Sequence, residues 1–137
     1  MMFELPVTVY IEDTDAGGIV YHANYLNFME RARTEWLRSH GFTQHSLLQD
    51  NIQLVVRRLT CRFAKPAKLD EMLSVTAGIK TSSHCAATFQ QYVSRRGERL
   101  CDAEVDIACI DASRLKPTRW PDALRKALSN TTDPQHV

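Results

Sequence analysis

A single segment with helical periodicity stands among several runs with strand periodicity, and this pattern constrains the fold more than any other feature. Between residues 21 and 40, apolar side chains recur on one helix face and polar side chains fill the other. The apolar positions are Tyr25, Phe28, Met29, Ala32 and Trp36. Gly41 follows where a left-handed residue commonly ends a helix. The pattern predicts one long amphipathic helix that begins between Tyr21 and Asn24.

Alternating apolar residues predict five β-strands around this helix. One strand precedes the helix at residues 5–11, and three regular strands follow at residues 73–79, 87–93 and 101–109. The remaining strand has apolar residues at Ile52, Leu54 and Val56, and then at Leu59, Cys61 and Phe63. The parity of this strand therefore changes at Arg57-Arg58, which predicts a β-bulge.

The connections between these segments predict an antiparallel α+β domain. The run Arg95-Arg96-Gly97-Glu98 is typical of a tight hairpin turn. Residues 43–50 and 121–129 predict two short helices, and Pro117 and Pro121 are expected to end the sheet. The predicted fold is a five-stranded antiparallel sheet wrapped around one long central helix, in a single domain over residues 1–130. Residues 131–137 are expected to form a disordered polar tail.

Composition excludes several classes of partner. The chain has 17 basic and 16 acidic residues, so no overall field favours nucleic acid. The first residues have neither the basic and apolar regions of a signal peptide nor a membrane-spanning run, so we expect a cytoplasmic protein with no integral membrane segment. Because one helix covers only part of a sheet, the apolar edge strands and the sheet's far side predict a homodimer or higher oligomer.

The four cysteines are predicted to be reduced structural residues. Cys61, Cys85, Cys101 and Cys109 form no Cys-x-x-Cys pair, and each lies in a strand-like run. Small buried thiols are common at such positions, whereas metal or redox chemistry favours other spacings.

Chemistry-bearing residues gather between the first strand and the long helix. Asp13 and Asp15 follow the strand, and Gly17 and Gly18 separate them from the helix start near His22. A helix amino terminus carries unpaired N–H groups and the positive end of the helix dipole. Such N–H groups can stabilise an acyl oxygen while a nearby carboxylate attacks or activates water. A thioester suits this equipment, because its thiolate departs without a strong general acid.

Several structural interpretations of the same residues remain open. Asp-Thr-Asp-Ala-Gly-Gly is also an ordinary turn in which carboxylates accept from local N–H groups. A histidine at a helix start is often a cap or packing residue, and Tyr21 and Tyr25 are packing residues that can also line a pocket. Asp13, Asp15 and His22 are in addition a conceivable metal-ligand set, although the chain has no zinc-type spacing.

The sequence resembles a known enzyme family over this segment. The run from Asp13 to Tyr25 reads Asp-Thr-Asp-Ala-Gly-Gly-Ile-Val-Tyr-His-Ala-Asn-Tyr, and it continues as Phe-Met-Glu-Arg-Ala-Arg-Thr-Glu-Trp-Leu from Phe28 to Leu37. This signature resembles that of hotdog-fold thioesterases of the 4-hydroxybenzoyl-CoA thioesterase family. Within the family, it is most similar to acyl-CoA thioesterases associated with the bacterial Tol-Pal system.

The resemblance implies a division of roles within the signature. Asp15 would be the catalytic carboxylate, acting as nucleophile or general base, and the backbone N–H of His22 would polarise the thioester carbonyl. Gly17 and Gly18 would allow close approach of the substrate to the backbone, with Tyr21 and Tyr25 lining the substrate pocket. Asp13 would support the turn. The resemblance further implies an acyl-CoA substrate, a dimer or tetramer with sites at the interface, and no metal or organic cofactor.

One departure from the family pattern concerns the coenzyme A nucleotide. Hydroxybenzoyl enzymes carry adjacent basic residues between the two central strands, where this chain has Ser82-Ser83-His84. Phosphate contacts could instead come from basic residues elsewhere, namely Arg57, Arg58, Arg62, Lys65 and Lys68. The departure is equally consistent with acyl groups carried on acyl carrier protein, whose pantetheine arm needs no nucleotide pocket. Two rival functions are a non-hydrolytic acyl-binding or scaffold protein of a lipid-synthesis or envelope complex, and a hotdog hydratase or dehydratase.

Overall fold

The computed structural model describes residues 2–130 and contains three α-helices and six β-strands in that part of the chain. The predicted tail, residues 131–137, lies outside the described residues. The α+β class, the long helix and both short helices are confirmed. In chain order the elements are β1 (Phe3–Thr8), α1 (His22–Ser39), α2 (Gln44–Gln49), β2 (Ile52–Phe63), β3 (Met72–Ser82), β4 (Ala86–Arg95), β5 (Glu98–Asp111), β6 (Lys116–Pro117) and α3 (Asp122–Asn130).

All strands belong to one antiparallel sheet with the order β1-β3-β4-β5-β2. The five predicted strands are present, and the two-residue β6 adds a sixth strand alongside β5. Pro117 was expected to end the sheet, but it pairs with Ile110 in this short strand. A proline fits there because an edge strand can lack a ladder N–H donor.

The first strand ends earlier than its alternation predicts. Pairing with β3 stops at Thr8, and a 3-10 turn covers Ile11–Asp13. Ile11 was expected to be buried but is 77% exposed, whereas Val9 is fully buried. Val9 continues the contact with the sheet by donating its N–H to Glu71 O (2.9 Å). The 3-10 turn then redirects the chain, so the alternation no longer reports burial.

The predicted bulge and hairpin are both confirmed. The register between β2 and β5 shifts between Val56 and Arg58, so the inward positions change parity there. The β4–β5 turn places Arg96 at φ 51° and Gly97 at φ 79°. Two consecutive positive φ values are typical of a type I′ hairpin turn, in which glycine is unstrained.

Helix α1 packs its predicted apolar face against the concave side of the sheet. Phe28, Met29 and Ala32 are completely buried in the core. The carboxyl end closes with Gly41 at φ 87°, where Gly41 N–H donates to Arg38 O and Phe42 N–H donates to Leu37 O, each at 3.0 Å. This pair of bonds is a Schellman motif, as the position of Gly41 predicted.

A polar network crosses the core beneath the middle of α1. Gln91 is fully buried, and its amide nitrogen donates to Met29 O and Thr76 O, both at 3.0 Å. Its oxygen accepts from the Arg33 guanidinium at 2.9 Å. Desolvation by burial lowers the pKa of Arg33. These bonds fix the position of α1 against β3 and β4.

The cysteines are free thiols, but not all of them lie in strands. Cys85 lies in the β3–β4 turn rather than in a strand, because β3 ends at Ser82 and β4 begins at Ala86. The Cys61 and Cys101 sulfurs lie 3.4 Å apart, and burial raises the pKa of each thiol. From Met2 to Asn130, no helix combines the length and apolar character needed to cross a membrane.

Candidate active site

Asp13 holds the segment that joins β1 to α1. Its side chain is 8% exposed and accepts the Tyr10 N–H at 2.8 Å. Its carbonyl oxygen accepts the Tyr21 N–H at 3.0 Å and the Asn24 side-chain amide at 2.8 Å. Asp13 therefore ties the 3-10 turn to the first turn of α1 through both its side chain and its backbone.

Asp15 lies two residues further on, in a different environment. Its side chain is exposed, and Oδ1 accepts the Gly17 N–H at 2.8 Å. The turn is closed by Gly18 N–H to Asp15 O (3.1 Å) and by Asp15 N–H to Ile19 O (2.9 Å). Because only one bond holds the Asp15 carboxylate, it remains accessible to a reactant.

The local geometry favours glycine at both positions of the turn. Gly18 adopts φ 80°, a conformation that side chains other than glycine's rarely tolerate. A Cβ on Gly17 would lie 3.3 Å from Asp15 Oδ1, tighter than an ordinary contact. A side chain at position 17 would therefore press on the carboxylate that the Gly17 N–H holds.

The amino end of α1 presents unused hydrogen-bond donors. Tyr21 N–H is taken by Asp13 O and Asn24 N–H by Tyr21 O. Among residues 2–130, the His22 and Ala23 N–H groups have no protein acceptor. The helix dipole adds positive potential at the same place. The helix end is therefore suited to bind the oxygen of a carbonyl group or an oxyanion.

A largely apolar groove of about 310 Å³ opens beside this helix end. It is lined by Ile19, Val20, His22, Tyr25, Phe63, Ala64, Lys65 and Pro66. The His22 ring lies edge-on to Phe63 with centroids 6.1 Å apart, and the Tyr21 ring lies 4.5 Å from the His22 ring. The groove thus continues from the free helix amides onto an apolar floor.

Tyr25 anchors one wall of the groove. The side chain is 3% exposed, and its hydroxyl accepts the Ala67 N–H at 2.9 Å. Burial raises the pKa of this hydroxyl. Val20 N–H donates to Ala67 O at 2.9 Å, so both backbone groups of Ala67 are bonded to the site. This connection between β2 and β3 is held against α1, which fixes the width of the groove.

The basic residues of β2 and of the segment that follows it differ in their partners. Lys65 is paired with Glu98 (2.6 Å), which also binds Arg95. Lys68 lies beside the turn, because it bridges to Ile19. Arg57, Arg58 and Arg62 are exposed on β2 and make no ion pair within the described residues.

The structure brings most of the predicted site residues together. Asp15, Gly17 and Gly18 form one turn, while Tyr21, His22 and Tyr25 lie on the helix end and groove that follow it. Asp15 does not line the groove, but Ile19 of the same turn does. Asp13, Asp15 and His22 are not gathered as a metal-binding set in the described part of the chain.

Sequence reasoning missed three contributors to the site. Asn24 binds the helix start to Asp13, and the groove is lined by Phe63, the last residue of β2, and by Pro66 in the segment after it. Asn24 could have been found from its place in the first helical turn, where polar side chains often cap. Phe63 and Pro66 gave no such signal, because they come from a segment about 40 residues away in sequence that only the fold brings near.

Comparison with known proteins identifies the family. Residues 9–128 match the model of the thioesterase-like superfamily. The chain belongs to this superfamily. It is 43% identical over 124 residues to the acyl-CoA thioester hydrolase YbgC of Escherichia coli, covering 90% of this chain and 92% of that protein. It is also 43% identical over 126 residues to the acyl-CoA thioesterase YbgC of Haemophilus influenzae, covering 91% and 93%.

Solved structures of thioesterases share the fold of this superfamily member. A probable thioesterase from Bartonella henselae superposes with a TM-score of 0.83 at 35% identity, covering 88% of this chain and all of that one. The 1,4-dihydroxy-2-naphthoyl-CoA thioesterase Slr0204 from Synechocystis gives a TM-score of 0.88 at 23% identity, covering 98% and 100%. The hotdog fold and the family expected from the sequence are therefore confirmed.

Proposed function

We propose that this chain hydrolyses acyl-CoA thioesters to a free acid and coenzyme A, with Asp15 as the catalytic carboxylate. The observation that carries the proposal is the pairing of an accessible carboxylate on a glycine turn with two unused helix-end amides. The 43% identity to acyl-CoA thioester hydrolases over most of the chain supports the same reaction.

In the proposed mechanism the thioester carbonyl oxygen accepts the His22 N–H. Attack on the carbonyl carbon moves negative charge onto this oxygen, and the amide and the helix dipole stabilise it. Collapse of the tetrahedral intermediate breaks the carbon–sulfur bond and releases coenzyme A as a thiolate, which then takes a proton. The Ala23 N–H, at the same helix end, is a second potential donor to this oxygen.

Asp15 can act in one of two ways. As a nucleophile, a carboxylate oxygen bonds to the acyl carbon, and water then hydrolyses the mixed anhydride to the free acid. As a general base, it takes a proton from the water that attacks the acyl carbon directly. Rapid quenching followed by mass spectrometry distinguishes them, because only the nucleophilic route leaves an acyl group on Asp15.

The direct test is release of free thiol from acyl-CoA by wild-type protein and by Asp15→Asn. We expect the variant to lose at least about a hundredfold in kcat, the usual scale for removing a positioned acid–base group or nucleophile. Glu12→Gln is the matched control, since Glu12 is an exposed carboxylate in the preceding 3-10 turn. Full activity in a folded Asp15→Asn protein would contradict the assigned role.

The rival functions make different predictions for the same assay. A non-hydrolytic acyl-binding or scaffold protein would bind acyl-CoA without releasing thiol over a wide panel of acyl groups. A hydratase or dehydratase would change acyl unsaturation without thiol release. Neither rival has a specific observation in its favour, and the identity to YbgC thioesterases supports hydrolysis.

We propose that exposed basic residues on β2 and beside the Asp15 turn contact the phosphates of coenzyme A. The β3–β4 turn with Ser82-Ser83-His84 faces Trp120 instead, because its backbone oxygens accept from that residue. Arg57, Arg58, Arg62 and Lys68 therefore remain as candidates. If they bind nucleotide, acyl-CoA should show a lower KM than acyl-pantetheine, and salt should weaken the difference. Equal KM values would favour presentation by acyl carrier protein.

We propose that the chain assembles as a homodimer or homotetramer through the free edge of β2. This edge strand has 12 residues, and its second side has no partner within the described chain. The convex face of the sheet carries the Lys80–Glu104 ion pair, so we place the subunit contact at the β2 edge rather than at that pair. Light scattering should give a multiple of 15.6 kDa.

A cytoplasmic location is part of the proposal and rests on the four free thiols.

A further inference from the structure

One wall of the groove comes from a segment that lies outside the helices and strands. Residues 64–71 connect β2 to β3, and the first three of them, Ala64, Lys65 and Pro66, line the groove. The segment begins beside β5, where Leu100 O accepts the Ala64 N–H at 2.9 Å and the Lys65 N–H at 3.1 Å. Because no helix or strand ladder holds such a segment, its position depends on individual hydrogen bonds.

On the side of α1, this connecting segment is bonded to the candidate site itself. The Ala67 N–H donates to the Tyr25 hydroxyl, and the Ala67 carbonyl accepts the Val20 N–H, both at 2.9 Å. Lys68 forms an isolated β-bridge with Ile19 in the glycine turn. A shift of the connecting segment would therefore change both the groove and the turn.

On the opposite side, the guanidinium of Arg95 binds the connecting segment at two points. Its Nη1 donates to Pro66 O at 3.3 Å and to Glu71 Oε1 at 2.7 Å. Its Nη2 donates to Glu98 Oε1 at 2.6 Å, within the β4–β5 hairpin. Glu71 Oε1 also accepts the Lys68 N–H at 2.7 Å. Because the N–H groups of a guanidinium lie in one rigid plane, Arg95 fixes these acceptors relative to one another.

Glu71 extends this contact to the chain that precedes the glycine turn. The Glu71 carbonyl accepts the Val9 N–H at 2.9 Å, and the Asp70 N–H donates to Val9 O at 3.0 Å. Val9 is fully buried and lies just before the 3-10 turn that leads to Asp15. Arg95 is therefore bonded to a segment that contacts both the groove and the strand end before the carboxylate.

Exposure distinguishes Arg95 from the arginine beside it. The Arg95 side chain is 21% exposed and that of Glu71 is 27% exposed. Arg96 is exposed and has no ion pair among residues 2–130. An exposed pair contributes little to structure, whereas a sheltered guanidinium with several fixed acceptors keeps one geometry. The two neighbouring arginines therefore make a matched pair for experiment.

We propose that Arg95 is a positioning residue for thioester hydrolysis, which holds the connecting segment so that the groove keeps the width that the substrate needs. This inference rests on the proposed function, because it places the thioester in the groove beside His22. The reacting groups have bonds of their own, such as that from the Gly17 N–H to Asp15. Loss of Arg95 should therefore weaken substrate binding more than it slows the chemical step.

Hydrogen–deuterium exchange tests the structural part of this inference without any substrate. Arg95→Met keeps the aliphatic stem but has no donor, so we expect amides in residues 64–71 to exchange at least about tenfold faster than in wild type. Exchange in α3 should stay unchanged. Arg96→Met, the matched control, should behave as wild type throughout. Unchanged exchange in the connecting segment, or an equal increase over the whole chain, would overturn the proposal.

A kinetic test separates positioning from attraction of the anionic coenzyme. KM is measured for acyl-CoA and for acyl-pantetheine, which carries no phosphate. A positioning role predicts that Arg95→Met raises KM about tenfold for both substrates, with kcat within about threefold of wild type. A rise for acyl-CoA alone would overturn the proposal, because it would mean that Arg95 acts on the phosphates. An equal rise in Arg96→Met would overturn it as well.

A conservative variant tests whether the shape of the guanidinium matters. Arg95→Lys keeps the charge but presents one ammonium group, which can pair with Glu71 without also reaching Pro66 O. We expect its KM to lie between those of wild type and Arg95→Met. If Arg95→Met does not fold, the same exchange and kinetic measurements are made on Arg95→Lys. A KM for Arg95→Lys equal to that of wild type would contradict the two-point contact.

The outcomes distinguish this inference from the proposed function. Absence of thiol release from every acyl-CoA by wild-type protein would refute the function, and the kinetic role of Arg95 would fall with it. The exchange experiment would still decide whether Arg95 holds the connecting segment. Hydrolysis by wild-type protein with an unchanged KM in folded Arg95→Met would refute the positioning role alone.

Discussion

Polar groups lie beside both the amino end and the middle of α1, but the two sets differ in how many hydrogen bonds they make. In the middle, the buried Gln91 side chain uses its nitrogen and its oxygen, and three partners share its bonds. At the amino end, Asp15 keeps one bond, and the His22 and Ala23 amides have no acceptor within the described residues. Buried polar groups with all their hydrogen bonds made specify structure, whereas polar groups at the surface with free hydrogen-bond capacity remain available for a reactant.

The largest expected effect on stability comes from the middle of the helix. Gln91→Leu would keep the side-chain volume but leave Arg33 and the Thr76 carbonyl without their partner. We expect a loss of about 3 kcal/mol in the free energy of unfolding, measured by urea denaturation. The activity of the folded fraction should change little. A loss in activity without a loss in stability would contradict the proposed difference between the two regions.

The two aspartates give a second, smaller test of the same contrast. Asp13→Ala removes the buried acceptor of the Tyr10 N–H, so we expect a loss of about 2 kcal/mol in unfolding free energy. Asp15→Ala removes one exposed bond and should change stability by less than about 1 kcal/mol. Thermal unfolding of both variants provides the measurement. Similar losses in the two variants would show that Asp15 also has a structural role.

The sequence predicted most of the secondary structure because local periodicity determined it. The bulge near Arg57 and the cap at Gly41 were both readable, since each depends on a few neighbouring residues. The buried position of Gln91 could not be predicted, because its partner Arg33 lies 58 residues away. A polar residue in a strand also gives no sign that it is buried. The end of β1 was also missed, because the 3-10 turn over Ile11–Asp13 redirects the chain after Val9 and ends the alternation there.

The candidate site was predictable in part for the same reason. The turn from Asp15 to Gly18 and the helix start are local, so the sequence placed the carboxylate and the amides together. The groove was not local, because Phe63 reaches it from β2 and Tyr25 is fixed there by the Ala67 N–H. Its lining could only be assigned once the register of α1 against β2 was known.

Tyr25 lies at the amino end of α1, but its side chain is bonded in the same way as that of Gln91 in the middle. It lines the groove, yet its hydroxyl satisfies a buried backbone donor as Gln91 does. Tyr25→Phe retains the ring and leaves the Ala67 N–H unpaired, so we expect a loss of about 1 kcal/mol in unfolding free energy. Activity should be largely retained if the hydroxyl only anchors the wall. A large fall in kcat at unchanged stability would assign the hydroxyl to the reaction.

The smallest effect is expected at the rim of the groove, where charges are exposed. Contacts with Lys65 and then Arg95 lower the pKa of Glu98 to about 2. Because this pKa is depressed in the folded state, the stabilisation is present above the unfolded pKa of about 4.3 and is lost as pH falls toward 2. Glu98→Gln should therefore lower Tm slightly near neutral pH, and the difference from wild type should vanish below that window. Glu12→Gln, which has no ion-pair partner in the described chain, should show no such pH dependence. Since exposed ion pairs contribute little, a large shift in Tm for Glu98→Gln would mean that this rim, like the middle of α1, helps to specify the fold.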